Sequence, residues 1–192
     1  MTGPCVTASR TSVRRFTGRF AKRLVALALL GGSLAFGVPV ASDFAARTSV
    51  ASAADALLEA FHLARTEALA RNAQVTICKS ANTRDEHPEC AESSAEWPEG
   101  WVVFEDNGTI GKIDAADKVI SRGRVAATVD AVSVKPARAA SVTFHPVGPV
   151  TGPGSTLEVH IESSLSRGSF ERVVCLSILG RAHVSKSGAC QA

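Results

Sequence analysis

The chain has 192 residues, 45% of them hydrophobic and 20% charged, which is globular composition and excludes a wholly disordered protein. That length holds one domain and a short extra segment, not two full domains. The formal charge of +3 hides an asymmetry: residues 1–23 carry six of the 21 cations and no acid, leaving fifteen cations against 18 acids in the remainder. Bulk charge on the folded part therefore gives no argument for nucleic acid, and any such claim needs a local patch.

Residues 24–42, LVALALLGGSLAFGVPVAS, follow the basic leader without a charge. As a helix the stretch rises about 28 Å, close to the hydrocarbon thickness of a bilayer. The preceding cations predict a cytoplasmic N-terminus and an exported remainder. Two readings stand. One is a retained anchor, in which Leu24, Leu27, Leu30, Leu34, Phe36 and Pro39 lie in the membrane and pack against other helices. The other is a cleaved secretory signal, with small residues around Val40-Ala41-Ser42 offering the cut; Gly31, Gly32 and Pro39 weaken the helix and favour it. Arg14-Arg15-Phe16 lacks the rest of a twin-arginine export pattern. The expected layout is a basic leader over 1–23, a transmembrane segment over 24–42, an amphipathic helix over 43–72 and an exported head over 73–192.

From 43 to 72 the chain is rich in Ala and Leu, with no Gly or Pro. Val50, Ala54, Leu57, Phe61, Ala64 and Ala68 recur at three- and four-residue steps and predict one apolar helical face, with Asn72 as the stop. If Pro39 does not end the helix, the span and this stripe form one element of about 48 residues.

After residue 72, β-branched residues alternate or cluster between turn signals over 74–79, 100–105, 118–121, 140–145, 156–162 and 171–179. Asp106-Asn107-Gly108 marks a turn and 146–154 a Pro/Gly loop; Gly180 divides a closing hairpin that returns over 181–185. The predicted class is α+β: one long N-terminal helix followed by an antiparallel sheet.

Export agrees with the cysteines. Cys78 and Cys90 flank a polar loop, and Cys175 and Cys190 flank the closing hairpin, while Cys5 precedes the span. Four cysteines allow three connectivities, so local pairing is a choice and not a deduction. Zinc would need C-x-x-C or nearby histidines, which are absent, so disulfides are expected.

Nothing points to catalysis, a resident metal or a cofactor. His62, His87, His145, His160 and His183 are scattered without ligand spacing, and Ser155 sits in a Gly-Pro-Gly loop and not in a nucleophile elbow. Glu105, Asp106, Asp114 and Asp117 lack the EF-hand pattern and read as a solvated hairpin. Trp97 and Trp101, bracketing a Pro-Gly turn, are expected to pack on the helix and not to form a sugar platform.

This layout, with its motifs, resembles the GspH/FimT family of pilin-like proteins, the minor pilins of type IV pili and minor pseudopilins of type II secretion. The matching residues are VASAADALLEAFHLARTEALARN over 50–72, with A-R-x-E-A-x-x-R-N most distinctive, Val75-Thr76-Ile77-Cys78-Lys79, and WPEGWVVFED over 97–106. Thr143-Phe144 and a Pro/Gly loop follow, then Cys175 and Gly180-Arg181 before Cys190. The resemblance implies a structural, non-enzymatic subunit with a pilin-like fold, single-pass in the inner membrane with its head in the periplasm, whose partners are other pilins. The type II secretion pseudopilin and a diverged soluble periplasmic protein are the alternatives. The N-terminus departs from the family pattern: Arg15 precedes Phe16-Thr17 where prepilins have glycine, and no glutamate occurs before Glu59. In assembled pilins a buried glutamate near the head of the span pairs with a neighbour's ammonium and sets register.

Family members that serve DNA uptake carry Gly-Arg-x-Arg near the C-terminus. Here the residues are Gly180-Arg181-Ala182-His183, with histidine in place of the second arginine. Arg172, Arg181, His183 and Lys186 are the candidate contacts for double-stranded DNA, and their small local charge implies weak, salt-sensitive binding.

Overall fold

The computed structural model describes residues 13–91, 100–126, 128–137, 139–153, 156–165, 168–185 and 188–190. It divides into two units, Met1–Ala41 and Ser42–Ala192, and the second contains the whole head. One helix, α1, runs from Val13 to Arg71, so residues 24–42 and the apolar stripe fall in one element and Pro39 does not interrupt it.

The helix ends as its sequence dictates. Asn72 takes a left-handed conformation with φ of 50°, which asparagine tolerates better than most residues, and the Ala73 N–H donates to the Ala68 carbonyl at 3.3 Å. That bond is the signature of a Schellman cap, and it satisfies a carbonyl the helix would otherwise leave open.

Among the described residues eight strands follow: β1 (Val75–Lys79), β2 (Gly100–Glu105), β3 (Lys118–Arg124), β4 (Ala131–Lys135), β5 (Ser141–Phe144), β6 (Leu157–Leu165), β7 (Gly168–Leu176) and β8 (Ala182–Ser185). They form two four-stranded antiparallel sheets and not the single sheet expected, in the orders β3-β2-β1-β5 and β4-β6-β7-β8. Strand β4 was not foreseen from the sequence. It is a five-residue strand at the edge of its sheet, paired among the described residues with β6 alone, and of its five side chains Val132 is the buried one.

Both sheets turn an apolar face to α1. Val50, Leu57, Phe61, Ala64 and Ala68 of the helix share one core with Val75, Ile77, Val103, Val142 and Phe144 of the first sheet and Leu157, Val159, Ile161, Val174 and Leu176 of the second. Period-two alternation explains why these strand residues, and not their neighbours, face inward. At the centre the Phe61 and Phe144 rings meet at 6.4 Å, inclined by 47°.

The far face of the first sheet carries a smaller cluster of Cys78, Val102 and Phe104, packed against Cys90, Ile113 and Val119. The Cys78–Cys90 disulfide therefore closes its loop over a second apolar layer. Trp101 is buried in the main core, as expected, and it faces Gly123 across the β2–β3 pair. A Cβ at Gly123 would fall 2.1 Å from the indole, so only glycine leaves room for the ring. Trp97 lies outside the described residues.

Candidate docking surface

The distinctive helix motif has a concrete structural use. Ala64 and Ala68 are fully buried and let the helix approach the sheets closely. Arg65 reaches from α1 to the β7–β8 turn, donating from Nη1 to the Leu179 carbonyl at 3.0 Å. A side chain at Gly180 would place its Cβ 2.5 Å from that guanidinium, and Gly180 itself has φ of 74°. Arg71 binds Glu67 one turn back and Glu105 of β2 at 3.1 Å. The Glu67 hydrogen bond is the largest cause of the upward shift of the Arg71 guanidinium, and Glu105 adds to it. Arg65, Glu67, Arg71 and Asn72 thus fasten and end one helix.

The residues proposed for DNA contact do not converge. Arg181 and His183 are exposed on the β7–β8 hairpin. His183 pairs with Cys175, whose neighbours Val174 and Leu176 face the helix, so His183 belongs to the outer face of the second sheet. Arg172 alternates with Val173 and lies on the inner side, where its guanidinium stacks 5.2 Å from the centre of the Phe170 ring. Arg47 of α1 stacks on the same ring at 5.5 Å. Lys186 lies outside the described residues. Phe170 and Arg47 were not singled out from the sequence, although Phe170 stands two residues before Arg172, which on a strand is the same face.

On the outer face of the second sheet, His160 is 7% exposed. Its Nδ1 contacts Glu171 and its Nε2 lies 3.2 Å from Glu158. Glu171 is therefore engaged with His160. Burial pushes the Glu158 carboxyl up, but hydrogen bonds from His160 and the Cys190 N–H, with the charges of His160 and Lys135, hold it below the ordinary glutamate value. Cys190 donates its N–H to Glu158 at 3.3 Å and is joined to Cys175 by a disulfide, so the C-terminal end is fixed twice.

The acidic 105–117 stretch is only partly the solvated hairpin expected. Asp106 is buried and accepts from the Thr76 hydroxyl at 2.7 Å and the Gly111 N–H at 2.8 Å, while the Thr76 and Thr143 hydroxyls meet at 2.7 Å. Asp114 accepts from the N–H groups of Thr109 and Ala116, both at 3.0 Å, and Asp117 accepts from those of Asn107 at 2.7 Å and Asp114 at 2.9 Å. The acids thus serve as acceptors for loop amides. Among the described residues, no group of three or more His, Cys, Asp or Glu is placed to hold a metal ion.

These loop bonds predict a pH effect. The hydrogen bonds from Thr109 and Ala116 hold the Asp114 carboxyl below its ordinary value of 3.8. A folded-state value below the unfolded one means that the stabilisation is present at neutral pH and is lost as pH falls through the folded value. Asp114→Asn is therefore expected to lower the urea midpoint at pH 7, and its gap to the parent should close as pH falls below 3.8. Equal gaps at both ends of the titration would show that the carboxylate charge has no part in holding the loop.

Among the described residues, no helix is long and apolar enough to cross a membrane. Leu24, Leu27, Leu30, Leu34, Phe36 and Pro39 fall within α1, and their side chains lie outside the described residues.

A long N-terminal helix packed on antiparallel sheets by its C-terminal part defines the pilin-like class. The family described as type II transport protein GspH matches residues 53–180, two-thirds of the chain, and the chain belongs to that family. The match covers the A-R-x-E-A-x-x-R-N portion of the helix motif, the first sheet, strands β4, β6 and β7 of the second, and Gly180. In fold it is similar to the type IV minor pilin FimU of Pseudomonas aeruginosa, with 23% identity, a TM-score of 0.54, and coverage of 76% of this chain and 95% of that one. A second crystal form of FimU gives 20% identity, a TM-score of 0.48, and coverage of 72% and 94%. No curated protein matches the chain.

Proposed function

We propose that the chain is a minor pilin or pseudopilin, a structural and non-enzymatic subunit. Residues 24–42 hold it in the inner membrane, its head lies in the periplasm, and other pilins are its partners. The observation that carries this reading is the span of α1, a single helix that includes both the charge-free stretch and the face buried under two sheets. Such an element joins a lipid-phase packing surface to a folded head, which is what a filament subunit requires. The type IV pilus is the favoured setting, supported by the likeness in fold to a type IV minor pilin. The family description, type II transport, supports the pseudopilin alternative. Any role in DNA uptake would rest on Arg181 and His183, a weak contact of two side chains, with Lys186 the remaining candidate.

The test is fractionation of the native host with N-terminal sequencing of the recovered protein, alongside a deletion strain scored for surface pili and for secreted proteins. The reading predicts inner-membrane recovery with residues 24–42 retained, and loss of pili on deletion. Loss of secretion with intact pili moves the subunit to the type II system. A soluble periplasmic product beginning near Ala41 or Ser42 overturns filament membership and leaves the diverged soluble protein.

A further inference from the structure

We infer that the end of the head bearing Phe44, Arg47, Phe170 and Arg172 is a docking surface for anionic phospholipid headgroups. The inference rests on the proposed membrane anchor, and it adds a second, charge-selective contact between the head and the bilayer surface.

Three observations carry it. First, Arg47 and Arg172 stack on one Phe170 ring from different elements, the helix and β7, at 5.5 and 5.2 Å. The ring holds both guanidiniums at one place without neutralising either. Neither forms a salt bridge with a carboxylate among the described residues. The acids near this end are occupied or turned away: Asp130 accepts from the Ser164 N–H, Glu171 faces His160, and Glu162 alternates with inward Ile161. Asp43, one turn before Arg47, already has a partner.

Second, position along the chain sets the depth. Arg47 lies five residues beyond Ser42, the last residue of the charge-free stretch, which is about 7.5 Å along a helix axis. The headgroup layer on each side of a bilayer is roughly 5–8 Å thick. A helix leaving the hydrocarbon at Ser42 therefore carries Arg47 through the phosphate level, and the Phe170 contact brings Arg172 to the same level.

Third, Phe44 is 71% exposed, a large apolar side chain with no place in the core. Between Ser42 and Arg47 it sits where interfacial aromatic residues partition into the boundary of headgroups and acyl chains. Phosphate oxygens match guanidinium geometry bidentately, so two arginines about one ring suit a phosphodiester headgroup.

The test uses the full chain in phosphatidylcholine bicelles with and without phosphatidylglycerol, reading water exchange of the arginine Nε–H groups by NMR. Arg47→Gln and Arg172→Gln identify the two signals. Exchange at both arginines is expected to slow about fivefold with phosphatidylglycerol, and the effect should fade at high salt. Equal rates in the two lipids, with the chain held in the bicelle, would overturn the headgroup contact and leave the anchor standing. Slowing by a short DNA duplex in neutral bicelles, without slowing by phosphatidylglycerol, would reassign the pair to nucleic acid. A chain that does not enter bicelles removes the anchor and this inference together.

Discussion

Replacing Phe61 by alanine is expected to destabilise the head by about 3–5 kcal/mol, the largest loss of any single truncation proposed for this chain. Phe61 is fully buried, and its ring meets Phe144 of the first sheet. The cavity would open where the helix and both sheets share one core, so no single element can move to fill it. Domains of this kind have roughly 5–15 kcal/mol in total, so the variant would approach the threshold of folding. Denaturant unfolding of the full chain in detergent, followed by tryptophan fluorescence, to which the buried Trp101 contributes, would measure the shift. Phe61→Leu, which keeps most of the volume, should lose clearly less. A change below about 1 kcal/mol for the alanine variant would mean that α1 is not seated as described.

The second large effect is expected at the C-terminal disulfide. Cys175 and Cys190 are separated by 15 positions, and a cross-link over a loop of that size contributes about 3 kcal/mol in the chain-entropy account. Cys175 is fully buried on β7, and the Cys190 N–H donates to Glu158, so the link joins a central strand to the end of the chain. The double variant C175A/C190A should unfold at a lower denaturant concentration than the parent under oxidising conditions. With excess dithiothreitol the two curves should converge, because the parent then loses its Cys175–Cys190 cross-link as well, while Cys78–Cys90 is open in both proteins. A persistent gap under reduction would assign the loss to side-chain packing and not to the cross-link.

How far the sequence reached depended on whether a feature was local. The apolar stripe on α1 repeats every three or four residues, and all six of its predicted positions are at most 1% exposed. Strand β2 runs over Gly100–Glu105, as its turn signals required, and the β7–β8 hairpin falls either side of Gly180. The division into two sheets was not legible. It depends on β5 pairing with β1 while β4 pairs with β6, and no short pattern records such long-range choices. The surface followed the same rule. Arg181 was singled out because it stands in a contiguous motif. Arg47 and Phe170 were missed because more than a hundred residues separate them, and only the packing of β7 beside the helix brings them together.

The shared core also decides how the head bears force. The contacts of α1 with the two sheets extend from Val50 to Ala68, about 27 Å of helix. A pull along that length is opposed by every layer of side chains in parallel, and by two sheets together. The Arg71 contacts to Glu67 and Glu105 act at one end of the row, and Arg65 ties the helix to the closing hairpin. Sliding the helix by one turn would have to unseat Leu57, Phe61 and their neighbours at once. Under tension the joint therefore yields in a single abrupt step and not by gradual creep, a property suited to a part loaded along its own axis.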